Sequence, residues 1–178
     1  MAGTPGSTAI REWRHADASA LARLADDRAV WLGLRDAFPH PYGLGDALAF
    51  ISFAGRMQPQ TFFAIEVDGE LAGGIGYTPR TDVERIGAEV GYWLGRAFWN
   101  RGVATAALRL LTAHAFAADP ELRRLWAVPF VTNIASARVL EKAGYTREGT
   151  LRQSAIKDGR VLDQGMYAIL RTDIGPPR

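Results

Sequence analysis

Arg96, Asn100, Arg101 and Gly102 stand together in a turn between two periodic stretches, a combination suited to holding an anion. Before it, Val90, Tyr92 and Leu94 alternate with Glu89, Gly91 and Trp93, the period of a strand. From Val103 onward, Ala107, Leu108, Leu110 and Leu111 recur at helical spacing in an alanine- and leucine-rich run. A strand that turns into a helix leaves the first helical N–H groups without partners. The helix dipole adds partial positive charge there, so phosphate is the natural guest. Gly102 lets the backbone approach closely, Ala104 keeps the first helical turn uncluttered, and Arg96 and Arg101 offer full charges. A ligand-free turn with a solvated Arg101 fits the same residues.

A second group of candidates lies in Asp36-Ala-Phe-Pro-His-Pro-Tyr-Gly43, inside the less regular segment 29–45. Two prolines and a glycine predict an ordered loop. Phe38, His40 and Tyr42, with Trp31 just upstream, are expected to form an aromatic wall for a substrate. The alternative is that Phe38 and Tyr42 only pack the loop down and His40 is incidental. No metal is expected, because His15, His40 and His114 fall in separate segments and the chain has no cysteine.

Those residues need a scaffold, and punctuation along the chain outlines one. A strand is expected at Ile10–Trp13, then a helix capped by Asp17 and running to about Arg28. A second helix, capped by Asp46, runs to about Arg56. Strands Thr61–Val67 and Glu70–Thr78 flank Asp68-Gly69, a strong hairpin signal. Gly73, Gly74 and Gly76 predict a bulge or close backbone approach in the second of them. After the central strand near Ala88 and a helix over about 103–118, a strand Arg124–Val128 ends at Pro129, which cannot donate to a ladder. Asn133 opens a helix ending near Gly144, and strands Tyr145–Leu151 and Val161–Leu170 close the chain around Lys157-Asp158-Gly159. The order predicts an α/β (mixed α+β) fold with helices on both faces of a mixed sheet. Departure of the strand at Pro129 would splay the sheet into a V-shaped cleft, whose free edges can hydrogen-bond an extended, amide-containing ligand.

A chain of 178 residues with 48% hydrophobic and 22% charged content suits one globular domain. It is expected over residues 9–172, between flexible stretches at 1–8 and 173–178. A net charge of +2 without a basic run argues against nucleic acid, and no apolar run nears the ~18 residues of a membrane span. The first residues lack the pattern of a signal peptide, so a soluble, cytoplasmic protein is expected. A nucleotide-binding domain is disfavoured: no Gly-x-x-x-x-Gly-Lys-Ser/Thr occurs, and Gly73-Gly-Ile-Gly76 lies within a hairpin strand.

Three stretches resemble the GNAT acetyltransferases, specifically their RimJ/RimL-type branch. They are Ala88-Glu-Val-Gly-Tyr-Trp-Leu94 with Phe98-Trp-Asn-Arg-Gly-Val-Ala-Thr105; Asn133-Ile-Ala-Ser-Ala-Arg-Val-Leu-Glu-Lys-Ala-Gly-Tyr145; and Glu148-Gly-Thr-Leu-Arg-Gln153 with Asp163 and Tyr167. The resemblance implies the acyl-CoA N-acyltransferase fold and binding of acetyl-CoA, with its pantetheine in the cleft and its pyrophosphate on the helix N-terminus. Carried over residue by residue, it points to the backbone of Trp93 and Leu94, then Arg101, Gly102, Val103, Ala104 and Thr105. Asn133 takes the family's pantetheine-contacting asparagine position, and Ser136, one turn on, is expected to face the thioester. Two departures stand out: Trp99 replaces the usual Arg or Gln opening the phosphate motif, and Leu140 replaces a tyrosine that serves many members as general acid. Ser136 is therefore the candidate donor to the departing thiolate, and Tyr145 is read as core.

The reaction implied is direct attack of a primary amine (a protein N-terminus, an amino acid or a small amine) on acetyl-CoA. Glu89 is the candidate general base, directly or through water, and otherwise an ion-pair partner for an arginine. A backbone N–H of the central strand would hold the carbonyl oxygen. A homodimer is compatible with the resemblance. The rival reading is an acyl-CoA sensor using the same cleft without turnover.

Overall fold

In a computed structural model that describes residues 6–175, strands β1 (Thr8–Arg11), β2 (Phe62–Val67), β3 (Glu70–Pro79), β4 (Gly87–Leu94), β5 (Arg124–Ala127), β6 (Thr146–Lys157) and β7 (Arg160–Leu170) form one sheet in the order β1-β2-β3-β4-β5-β7-β6. Neighbours are antiparallel except β4 and β5, which run parallel. Helices α1 (Ala18–Ala25), the single turn α2 (Arg28–Trp31), α3 (Leu44–Ala54), α4 (Val103–Ala118) and α5 (Ile134–Lys142) complete the chain. The expected class, a mixed sheet with helices on both faces, holds.

Strand alternation explains the two cores. On one face Phe63, Ile65, Val67, Ile75, Tyr77, Val90 and Leu94 pack with Leu108 and Leu111 of α4 and Leu140 of α5. On the other, Ala64 and Leu71 meet Trp13, Leu21, Ala47 and Ile51 from the α1–α3 layer. The glycines of β3 answer their expectation: a Cβ on Gly73 would lie 2.1 Å from the carbonyl oxygen of Trp93, so only glycine admits that approach. The register between β2 and β3 also shifts at Ile65/Glu66, the anticipated bulge.

Several boundaries differ from the sequence expectation for local reasons. The first helix stops at Ala25 rather than near Arg28, because Asp26 accepts the N–H of Tyr42 at 3.0 Å. Asp27 then caps a new turn through Ala29 N–H at 2.8 Å. The less regular segment 29–45 therefore begins helical, while its core, Asp36–Gly43, is a loop as expected. Gly43, not Asp46, is the N-cap of α3; Asp46 sits three residues in and accepts the Gly43 N–H at 2.8 Å. Strand β1 begins at Thr8, inside the stretch expected to be flexible, since Ser7 N–H donates to Asp68 at 2.9 Å and Thr8 pairs with Val67. Residues 171–173 form a 3₁₀ turn. The remainder of both expected tails, residues 1–5 and 176–178, lies outside the described residues.

Asp17 does not use its carboxylate to cap α1. It takes a bidentate hydrogen bond from Arg11, at 2.7 and 2.9 Å, and one from Arg14 N–H at 2.8 Å, while Arg11 also reaches Glu66 on β2. This network fastens the edge strand to the α1 layer. Burial would raise the Asp17 pKa, but the Arg11 and Arg14 hydrogen bonds and charges outweigh it and hold the group below its ordinary value. A carboxylate with a depressed folded pKa stabilises fully above its unfolded value, about 3.9, and that contribution is lost as pH falls through the folded value. Asp17→Asn should therefore cost about 3 kcal/mol at pH 7, or about 6–12 °C in Tm, and the two melting temperatures should converge on acidification below about pH 4. A constant gap from pH 7 to pH 2 would contradict the assignment.

Candidate functional site

The cleft originates where β4 and β5 stop pairing. Their parallel ladder covers only Gly87↔Arg124, Ala88↔Leu125 and Glu89↔Trp126. Beyond it, the chain from Val128 is held by β7 instead. Gly165 N–H donates to Pro129 O at 2.9 Å, Val131 N–H to Asp163 O at 3.0 Å, and Gln164 Nε2 to Val128 O at 2.8 Å. Pro129 cannot donate back to β4, so the anticipated V opens at the expected place.

Two hydrogen bonds fix which residues of β4 face that opening. Arg80 N–H donates to Gly87 O and Gly95 N–H to Ala72 O, both 2.9 Å and both in the β3–β4 register. In an antiparallel ladder, alternate residues exchange bonds with the same neighbour. Glu89, Gly91, Trp93 and Gly95 therefore turn their backbone groups to β3, while Val90, Tyr92 and Leu94 turn theirs to the β5 side. Among the described residues no strand accompanies Tyr92 or Leu94 on that side. Leu94 keeps the expected place at the cleft edge. Trp93 does not, because its backbone is committed to Gly74; its indole instead packs on Phe38, with ring centroids 5.4 Å apart. Tyr92 takes its place, and parity of the ladder was the missing signal.

From Leu94 the chain runs into the turn that precedes α4. Trp99, the departure from the family's phosphate motif, donates its indole N–H to Leu94 O at 2.8 Å and so pins this turn to the strand. Asn100 (φ 58°) and Gly102 (φ 79°) both adopt the left-handed region, which reverses the chain sharply before Val103. Gly102 is the N-cap and provides no side chain, and no acidic residue stands in the first turn. The N–H groups of Val103, Ala104 and Thr105 are thus left facing outward, with the first intrahelical bond made by Ala106 to Gly102 O at 3.1 Å. Arg101 precedes them in the chain and folds its guanidinium back over the turn at 96–98, 3.5 Å from Ala97 O and 5.5 Å from the Phe98 ring centroid. Arg96 points elsewhere, 3.6 Å from Asp27, and ties the turn to α2.

Across the cleft, Asn133 caps α5, its Oδ1 accepting the N–H of Ser136 at 3.1 Å, so its carbonyl is occupied and its amide NH₂ is the group left to offer. Ser136 Oγ lies 2.8 Å from the hydroxyl of Tyr92. Leu140 is fully buried, and Tyr145 is a core residue bonded to Thr112 at 2.9 Å, as expected.

Glu89 projects to the other face of the sheet, its side chain mostly buried, and is paired with both Arg35 and Arg80, the latter at 3.3 Å. The ion-pair alternative is thus realised in the structure. A cavity of about 330 Å³ adjoins Arg35, lined also by Leu34, Asp36, Phe130, Lys157 and Gln164. The aromatic wall expected from residues 31–42 is divided. Tyr42 is buried in the α1–α3 core, its hydroxyl pKa pushed up to about 12 by burial, and Phe38 packs 4.8 Å from it, so this pair holds the loop down. Trp31 stacks on His40 at 5.7 Å and lies under Lys157, whose Nζ is 3.4 Å from the Trp31 ring centroid. Lys157 and Asp36, bonded at 2.7 Å, were not anticipated from sequence; their 121-residue separation leaves no local signal. Among the described residues no cluster of His, Cys, Asp and Glu suits a metal ion, and no helix is long and apolar enough to cross a membrane.

Comparison with known proteins agrees with this geometry. A putative ribosomal N-acetyltransferase of Bacillus subtilis is 35% identical over 106 residues, 60% of this chain and 57% of the relative. The ribosomal-protein-serine acetyltransferase of Escherichia coli is 33% identical over 106 residues, 60% of this chain and 58% of the relative. The matched region thus spans somewhat over half the length of these curated relatives. Mycobacterium smegmatis RimJ, solved with a CoA disulfide, superposes with a TM-score of 0.85 at 26% identity, covering 97% of this chain and 86% of that one. The family model for the acetyltransferase (GNAT) domain matches residues 8–146, and the chain belongs to that family.

Proposed function

We propose that the protein transfers the acetyl group of acetyl-CoA to a primary amine, both bound at once. One observation carries the reading: the free edge of β4 at Tyr92 and the Leu94 N–H, with Leu94 O held by Trp99, leads directly into an uncapped helix N-terminus at Gly102–Thr105. That edge suits an extended pantetheine with amide groups. The outward N–H groups of Val103, Ala104 and Thr105 suit the pyrophosphate, and Arg101, on an exposed side chain just before them, can swing to it from Phe98. Asn133 offers its amide NH₂ from the opposite wall. The CoA disulfide held by the mycobacterial relative supports the same assignment.

Catalysis then falls to groups on the two sheet faces. Glu89 accepts a proton from the incoming ammonium, directly or through water. One of its guanidinium partners must yield, and Arg35 does so more readily, its side chain being 68% exposed against 44% for Arg80, whose backbone N–H is also bonded to Gly87 O. A β4 N–H holds the carbonyl oxygen as charge develops there. Ser136 hydrogen-bonds the departing sulfur. The acceptor enters past Arg35 through the cavity near Asp36 and Gln164. The two relatives named for ribosomal acetylation support a polypeptide amine among the acceptors.

Thermal unfolding tests the donor site. Acetyl-CoA or CoA at about a hundred times its Kd should raise Tm by about 5–10 °C, and ATP at the same concentration should not. No shift with either CoA species at millimolar concentration would remove the donor assignment. For the base, Glu89→Gln should lower kcat at least about 100-fold while acetyl-CoA affinity stays within about two-fold. Wild-type turnover by that variant would leave Glu89 a purely structural ion-pair partner.

A further inference from the structure

Tyr92 occupies an unusual position in β4. Its backbone belongs to the free edge of the cleft, while its ring crosses to the α4–α5 face and packs against the main core. There its hydroxyl meets the first turn of α5, 2.8 Å from Ser136 Oγ and 3.2 Å from Ser136 O. The two residues come from opposite walls of the V, so this contact bridges the cleft beyond the point where β4 and β5 part. Asn133 already fixes the backbone of Ser136 through its N–H. Tyr92 fixes the hydroxyl.

We propose that Tyr92 is a positioning residue for acetyl transfer: by donating its O–H to Ser136 Oγ, it leaves the Ser136 proton as the one free to reach the departing sulfur. The inference rests on the acetyl-transfer reading above. Ser136 has a single proton, and if it donated to Tyr92 that proton would be spent inside the pair. Tyr92 also has one proton, and its two acceptors compete for it: the nearer Ser136 Oγ at 2.8 Å takes it in preference to Ser136 O at 3.2 Å. A phenol is more acidic than an aliphatic alcohol and so the better donor of the pair, and burial keeps it protonated. Accepting that bond polarises the Ser136 O–H toward a second acceptor. No proton leaves Tyr92 or Ser136: as the C–S bond breaks, the Ser136 O–H hydrogen-bonds the departing thiolate while Tyr92 steadies the serine oxygen, and the proton shed by the acylated nitrogen neutralises the thiolate.

A double-mutant cycle on the full chain decides the matter. Tyr92→Phe keeps the ring and should leave Tm, the acetyl-CoA-induced shift and the acceptor KM near wild type. Its kcat should fall about ten-fold. In the Ser136→Ala background, adding Tyr92→Phe should cost nothing more, because the hydroxyl it serves is gone. A drop of equal size in both backgrounds would assign Tyr92 to packing and overturn the inference, as would an unchanged kcat in the single variant. Wild-type protein that binds acetyl-CoA yet acetylates no amine would overturn the transfer reading, and this inference with it. Wild-type turnover with a silent Tyr92→Phe would overturn this inference alone.

Discussion

The short parallel ladder between β4 and β5 is the constraint on which the rest of the site depends. Buried backbone groups must be paired, and an interior strand ordinarily satisfies this on both sides. Here the pairing ends at Glu89 and Trp126, while β4 continues to Leu94 with β3 alone beside it. What prevents closure is the commitment of the opposite chain: residues 128–131 bond to β7, and Pro129 has no N–H to offer β4. The cleft is thus an unfilled ladder position, with donors and acceptors at the spacing of an extended chain. A ligand carrying amides along its length answers it as a strand would.

The same strand distributes chemistry by parity. Adjacent residues of a strand point to opposite faces, so Glu89 reaches the side of Arg35 and Arg80 while Tyr92 reaches the side of α5. A mostly buried carboxylate and a hydroxyl pair are thereby separated by the sheet itself, with the free backbone edge between them. A single slip of the β4 register would exchange the two sets of side chains, and the glycine at 73, which admits Trp93 O at close range, helps to hold that register.

Legibility followed the range of the interactions. The strand–turn–helix from Glu89 to Leu108, the Asp68-Gly69 hairpin, the Asn133 cap and the break at Pro129 are local, and the sequence carried them to within a residue or two. The helix ends at Ala25 and Gly43 went astray because aspartates there bond backbone groups that the periodicity does not register. Trp93 was misassigned for a different reason: its neighbours in sequence do not reveal which edge of the strand it faces, and only the β3 register does. Tyr92 was read as one more apolar step of the strand, since its partner Ser136 lies 44 residues away.

The cavity beside Arg35 shows the limit most clearly, because it is assembled from parts that meet only in the finished fold. Lys157 at the tip of the β6–β7 hairpin is almost fully buried, a costly place for an ammonium without partners. Trp31 offers its ring face and Asp36 its carboxylate, and Arg28 pairs with Asp158 next door at 2.6 Å. Asp36 is largely exposed, so its charge is screened, and the aromatic face supplies the less solvated part of the compensation. These contacts hold the loop that carries Arg35, and Arg35 in turn meets Glu89. A residue at one end of the sheet thus sets the surroundings of the candidate base at its centre. The cleft edge requires only β4 and the helix that follows it, whereas the cavity depends on a clamp closed across 121 residues. Changes at the hairpin tip are therefore felt first in the cavity beside Arg35, while the edge of β4 and the N-terminus of α4 stay as their local sequence makes them.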